Sequence, residues 1–159
     1  MPIVYLLTGG NIGNTNLELS KAAAMIHERV GGVRKASEIY RTEPWGNPNQ
    51  QYFLNQVLEV ESVMKPEDIM SKLLAIEQEM GRVRDKKWEP RVIDIDMLLY
   101  DNLIHESDTL TLPHPHLHKR NFVLAPLAEL APDLIHPVLQ QSIAQLLQHS
   151  ADKGLVEKM

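Results

Sequence analysis

Asp94 and Asp96 stand two residues apart in an otherwise apolar run, Val92-Ile93-Asp94-Ile95-Asp96-Met97-Leu98-Leu99-Tyr100. On an extended strand alternate residues share a face, so the two carboxylates lie side by side with Cα atoms about 6.6 Å apart. Such a pair suits a hard cation, because two carboxylates form an incomplete shell of the kind Mg²⁺ completes with water and substrate phosphate oxygens. The plainer reading is that both decorate a solvent-facing strand. Aspartate is depleted in strands, however, and the residues just upstream favour phosphate chemistry. Between Arg82 and Arg91 lie five basic residues (Arg82, Arg84, Lys86, Lys87, Arg91) against Asp85 and Glu89, in a chain whose net charge is −5. Guanidinium groups offer paired donors matched to phosphate oxygens, whereas carboxylates repel phosphate unless a cation lies between. Together they suggest a metal–polyphosphate site, with internal Arg–Asp salt bridges as the alternative.

Other residue types narrow the chemistry. Gly9-Gly10-Asn11-Ile12-Gly13 lacks the Lys-Ser/Thr ending of a P-loop and the glycine spacing of a dinucleotide fold, so it reads as a turn. Any nucleotide must then be held by arginines and metal rather than by backbone amides. His114, His116 and His118 alternate and could present a zinc site, but prolines interrupt them and Lys119-Arg120 follows, which suits a basic loop reaching phosphates better. Trp45, Phe53, Trp88 and Phe122 stand out in a chain with only 5% aromatics; such side chains more often belong to a core, yet Trp45 and Trp88 sit in polar loops, where a flat heterocycle could stack.

The elements that must position these groups follow from periodicity. Residues 3–8 read as a buried strand, followed by a turn at 9–14 and a helix stopped by Gly31-Gly32. Val33 to Arg41 reads as a second strand, running into the irregular Thr42-Glu43-Pro44-Trp45-Gly46-Asn47-Pro48-Asn49. From Tyr52 to Ser62 alternation predicts a long strand with Phe53, Asn55, Val57 and Glu59 on one side. Pro66 then opens a helix whose stripe Ile69, Leu73, Ile76, Met80 ends at Gly81. The strand 92–100 has Ile93, Ile95, Met97 and Leu99 opposite the aspartates. A tight turn at Asp101-Asn102 leads to a return strand around Leu103-Ile104, and 122–130 and 142–149 read as short helices. The last several residues are expected to fray.

At 159 residues with 43% hydrophobic side chains the chain is sized for one core, and residues 1–159 are expected to form a single domain. An excess of acidic over basic residues argues against a nucleic-acid binder, whose affinity depends on neutralising phosphates. There is no apolar run long enough for a membrane span, no basic leader and no cysteine. A soluble cytoplasmic protein is expected, with small-molecule partners and acting as a monomer.

The stretch Gly81-Arg82-Val83-Arg84, then Glu89-Pro90-Arg91-Val92-Ile93-Asp94-Ile95-Asp96-Met97-Leu98, resembles the 6-hydroxymethyl-7,8-dihydropterin pyrophosphokinases of folate biosynthesis. The likeness continues through Tyr40-Arg41-Thr42-Glu43-Pro44-Trp45-Gly46, Tyr52-Phe53-Leu54-Asn55, Leu112-Pro113-His114 and Arg120-Asn121-Phe122. The resemblance implies an α+β, ferredoxin-like sandwich with an antiparallel sheet flanked by helices. It implies transfer of diphosphate from ATP to the hydroxymethyl group of the dihydropterin, leaving AMP. On that basis Asp94 and Asp96 would hold two Mg²⁺ ions. Arg82, Arg84, Arg91, His114 and Arg120 would meet the phosphates, Glu77 would lie on the nucleotide side, and Met97 and Thr111 would approach the adenosine. Thr42, Pro44, Trp45, Phe53, Asn55 and Phe122 would form the pterin side, with Phe53 and Phe122 sandwiching the ring and Asn55 reading its amide-like edge. Trp88 would belong to a loop closing over both substrates.

Two departures from the family pattern stand out: Gly10 where the family usually has serine, and Glu89 where a small residue usually precedes Pro90. Two rivals remain open beside the enzyme. One is a catalytically silent nucleotide-binding module on the same fold, and the other a metal-dependent phosphohydrolase acting on ATP without pterin.

Overall fold

A computed structural model describes residues 1–42, 52–81, 92–152, 154 and 156–159. Its elements run β1 (Ile3–Gly10), α1 (Thr15–Arg29), β2 (Gly32–Ala36), β3 (Tyr40–Thr42), β4 (Phe53–Glu61), α2 (Pro66–Glu79), β5 (Asp94–Tyr100), β6 (His105–Glu106), β7 (Thr111–Leu112), a 3-10 turn at Leu117–Lys119, α3 (Asn121–Leu130), α4 (Ile143–Gln148) and β8 (Val156–Lys158). The main sheet is antiparallel in the order β5-β1-β4-β3-β8, with β2 also paired to β4. The first strand thus lies between the last and third strands of a βαββαβ core, as the expected ferredoxin-like sandwich requires. β6 and β7 form a separate hairpin.

Alternation along the strands fills two cores, one on each face. Val4 and Leu6 of β1, Leu58 and Val60 of β4, and Ile95 and Met97 of β5 pack against Leu19, Ala22 and Ile26 of α1 and Ile69, Leu73 and Ile76 of α2. Tyr5, Leu7 and Val57 point the other way, against Val123, Leu124 and Leu127 of α3 and Ile143 and Leu146 of α4. Local signals set the helix ends. Asn14 caps α1 by accepting the Leu17 N–H at 3.2 Å, Pro66 opens α2, and Gly81 leaves α2 with φ +99°, a conformation glycine adopts freely.

Several boundaries differ from the sequence expectation. Gly9 and Gly10 belong to β1, paired with Asn55 and Leu54, and the turn falls later, at Gly13 with φ +65°. The second strand is broken between Ala36 and Tyr40. There the Ser37 N–H donates to the Val57 carbonyl (2.9 Å) while the Ser37 hydroxyl accepts the Val57 N–H (3.0 Å), so a side chain stands in for the ladder. The return strand lies at residues 105–106, not around Leu103-Ile104. It pairs with β7, and the Glu67 carboxylate of α2 holds this hairpin by accepting from Ser107 and Thr109, with His105 also at 3.0 Å. The C-terminus does not fray at 156–158, because β8 adds to β3.

Candidate active site

The two aspartates are placed by β5. Pairing sets Asp94 opposite Gly9 and Asp96 opposite Leu7, so both project from the face that carries α3 and α4 while Ile95 and Met97 enter the opposite core. Both carboxylate residues are half-buried on that shared face. Past them the strand bulges: Leu6 faces Met97 but Tyr5 faces Leu99, so Leu98 is an inserted residue. The bulge corrects the expectation that Leu99 shares a side with Met97, since Leu98 and Leu99 both pack toward α3 and α4. The Leu98 carbonyl accepts the His114 N–H at 2.9 Å, which ties the following loop to β5.

Across the sheet, one row of paired residues reads Tyr40, Asn55, Gly9, Asp94. Directly paired residues project from the same face, so Asn55 and Asp94 stand on one surface with a glycine between them. At about 4.8 Å per strand their backbones lie about 10 Å apart. Gly9 places no side chain at that middle position, where a Cβ would meet the Asn55 side chain well inside the 3.0 Å that real Cβ atoms respect. Phe53, paired with Thr42, sits two residues from Asn55 on the same face. Gly9 is the residue that sequence reasoning missed. Its signal was two glycines at the end of a buried strand, where a bare backbone leaves room for something above it.

The third side comes from the loop before α3 and the start of that helix. Phe122, in the first turn of α3, packs partly into the core on that face, and the Arg120 guanidinium carbon lies 5.6 Å from its ring centroid. Burial, then the Arg120 and His116 charges, push the His114 imidazole down to about 4, so it is neutral near pH 7. Its Nδ1 accepts the His116 N–H at 3.1 Å, which leaves the proton, and the ring's donor, on Nε2. The histidines do not gather for zinc: the His114 and His116 rings are 6.0 Å apart and tilted, while His118 packs edge-on against buried His136. Among the described residues no group of three or more His, Asp or Glu side chains could hold a metal.

On the opposite face Glu77 is 3% exposed, and its Oε2 accepts the Ile95 N–H at 2.7 Å. Glu77 therefore occupies the outer edge of β5, the terminal strand of the sheet. Met97 has its side chain enclosed in the core, and Thr111 is exposed on β7. Pro44, Trp45, Arg82, Arg84, Trp88 and Arg91 lie outside the described residues. The points where the chain departs and returns are described. Thr42 pairs with Phe53, and a Cβ on Gly81 would lie 4.0 Å from Val92, two residues before Asp94.

A sequence profile of the 7,8-dihydro-6-hydroxymethylpterin-pyrophosphokinase (HPPK) family matches residues 5–132. The chain belongs to this family. It is 37% identical over 145 residues to the 2-amino-4-hydroxy-6-hydroxymethyldihydropteridine pyrophosphokinase of Aquifex aeolicus, covering 91% of this chain and 90% of that one. It is 39% identical over 155 residues to the folic acid synthesis protein fol1 of Schizosaccharomyces pombe, covering 96% of this chain but only 21% of that much longer protein. The crystal structure of wild-type Plasmodium falciparum HPPK-DHPS with pteroate superposes with a TM-score of 0.77 at 16% identity. It covers 92% of this HPPK-family chain and 44% of that one, and at that identity it speaks for the fold. No helix among the described residues is long and apolar enough to cross a membrane.

Proposed function

We propose that this chain transfers diphosphate from ATP to the hydroxymethyl group of 6-hydroxymethyl-7,8-dihydropterin, a step of folate biosynthesis, leaving AMP. Family membership supports the reaction, and one structural observation carries its placement: Asn55 and Asp94 face the same side of the sheet across Gly9. A ring read at Asn55 has its hydroxymethyl arm directed along that row toward the carboxylates.

The residues fit divided roles. Phe53 and Phe122 hold the pterin between them, and Asn55 pairs with its amide-like edge, so a ring lacking that edge leaves the amide unpaired. Thr42, Pro44 and Trp45 complete that side. His114 donates from Nε2 as a neutral group and Arg120 as a cation to the phosphates, joined by Arg82, Arg84 and Arg91. Glu77, the backbone of Met97 at the strand edge and Thr111 bound the nucleotide side, and Trp88 closes over both substrates.

Asp94 and Asp96 fit Mg²⁺ by the chemistry of the donor set. Two half-exposed carboxylates on adjacent outward positions leave most of a shell to water and phosphate oxygens, and the proposed number of ions is two. Bound Mg²⁺ supplies positive charge to the triphosphate oxygens. The pterin hydroxyl oxygen attacks the β-phosphorus, the bond from that phosphorus to the α–β bridging oxygen breaks, AMP departs with the bridging oxygen, and the hydroxyl proton is released. The chain's part is to align these atoms, stabilise charge with its cations and exclude water. The same reading has it act as a monomer in the cytoplasm.

The test is AMP formation from MgATP with and without the dihydropterin. Pterin-dependent AMP supports the proposal. AMP or ADP appearing equally without pterin would make the chain a phosphohydrolase, and binding without turnover would make it a silent module.

A further inference from the structure

Helix α3 starts on a residue that cannot cap it. Arg120 occupies the N-cap position in an extended conformation (φ −129°, ψ 114°), carries only donors and makes no side-chain cap. The missing acceptor arrives from 31 positions further along: Asp152 Oδ2 accepts the Asn121 N–H at 2.8 Å, and the Asp152 carbonyl accepts the Asn121 side-chain amide at 3.0 Å. The other carboxylate oxygen, Oδ1, accepts the Gly154 N–H at 2.8 Å, and the Asp152 N–H donates to the Ser150 hydroxyl at 3.2 Å. The carboxylate is thus held from both sides, with its negative charge at the positive end of the helix.

Asn121 lies between Arg120 and Phe122, the two residues at the start of α3 proposed above to meet substrate. A few residues beyond Asp152, β8 pairs with β3, setting Val156 opposite Thr42 and Glu157 opposite Arg41, whose guanidinium Nη2 lies 2.6 Å from the Glu157 carboxylate. One C-terminal segment therefore braces the helix start that carries Phe122 and the strand that carries Thr42.

We infer that Asp152 is a positioning residue for the pterin site: it fixes the first turn of α3, and through it the angle at which Phe122 meets the ring. The inference rests on the reading of Phe122 as a pterin-stacking residue. Without Asp152 the Asn121 N–H, the first amide of α3, loses its acceptor, its side-chain amide loses the tie to the C-terminal segment, and the turn frays. Phe122 then pays the cost of ordering on each binding event.

The test is a double-mutant cycle on dihydropterin affinity, measured by calorimetry with Phe122→Ala, Asp152→Ala and the pair, alongside Ser142→Ala. Ser142 caps α4 with both bonds of a capping box and lies outside the site, so its loss controls for general weakening of a helix end. Asp152→Ala is expected to raise the pterin Kd about five- to tenfold, the scale of one lost helix cap, with Ser142→Ala at parental affinity. In the Phe122→Ala background the Asp152 substitution should add little, because both act through the same ring. Parental affinity in Asp152→Ala, or a full effect in the Phe122→Ala background, would overturn the inference while leaving Phe122 as a stacking residue. Parental affinity in Phe122→Ala would remove the stacking reading itself, and the inference with it. Should Asp152→Ala fail to fold, Asp152→Asn keeps one acceptor and gives the same cycle with an expected weakening of about two- to threefold.

Discussion

Gly9 and Asn55 are partners across the β1–β4 ladder, and the space a Gly9 side chain would fill is already taken by the Asn55 amide. Asn55 is 7% exposed, so its amide has little freedom to yield except by turning out of line. Gly9→Ala is therefore expected to weaken dihydropterin binding by about 1–3 kcal/mol, the cost of a polar edge left without its partner. Affinity for a non-hydrolysable ATP analogue should hardly change. Calorimetric titration of both ligands checks this, and equal pterin affinity in parent and variant would mean that Asn55 is not the reader.

Two acidic residues of β5 and α2 should respond in different ways to truncation. Asp96 projects half-buried from the site face, and its proposed work is done only with cations and phosphate present. Asp96→Ala is expected to lower turnover by about a hundredfold or more, as loss of an electrostatic stabiliser does. Glu77 is enclosed and accepts the Ile95 N–H, so Glu77→Ala strands a buried donor and should cost about 1–3 kcal/mol of folding stability. AMP formation and thermal unfolding of both variants decide the matter. Equal turnover of Asp96→Ala and parent at saturating Mg²⁺ would remove the assigned role.

Phe122 stands at the helix start with the Arg120 guanidinium over its ring, so the residue proposed to stack on the pterin adjoins one proposed to meet the phosphates. Phe122→Ala should weaken pterin binding by about 1–3 kcal/mol, on the scale of base–aromatic stacking. Because the contact is made in the ground state, KM for pterin should rise more than kcat falls. Steady-state kinetics at saturating MgATP measures that split, and a fall in kcat alone would place Phe122 at the transferring group instead.

Period-two alternation made β4 legible residue by residue: Phe53, Asn55, Val57 and Glu59 do share a face, because a strand buried on both sides leaves no other register. The side-by-side placement of Asp94 and Asp96 followed from the same rule. The rule failed at Leu99, since a one-residue bulge carries no mark in composition, and at Ser37, where a hydroxyl replaces a ladder bond. Gly9-Gly10 misled for a related reason: glycine signals a turn and a close approach alike, and only the pairing with Asn55 tells them apart. The cap from Asp152 to Asn121 spans 31 positions, about a fifth of the chain, beyond any local pattern.

Acid should weaken this fold through its buried imidazoles. The His114 pKa is held down to about 4 in the folded chain by burial and by the Arg120 and His116 charges, against 6.5 for an ordinary histidine. As pH falls through 6.5 the unfolded chain takes up a proton that the folded chain refuses until about pH 4, so stability is lost across that window and levels off below it. His118 and His136, also lowered chiefly by burial, act in the same direction, and His136 has its Nδ1 committed to the Val138 and Leu139 amides. Replacing His114 with glutamine removes one of these three contributions. The denaturant midpoint of His114→Gln is therefore expected to fall less between pH 7 and pH 4.5 than that of the parent. Parallel losses in the two proteins would show that His114 takes up its proton as readily folded as unfolded, contrary to the burial and the neighbouring charges described for it.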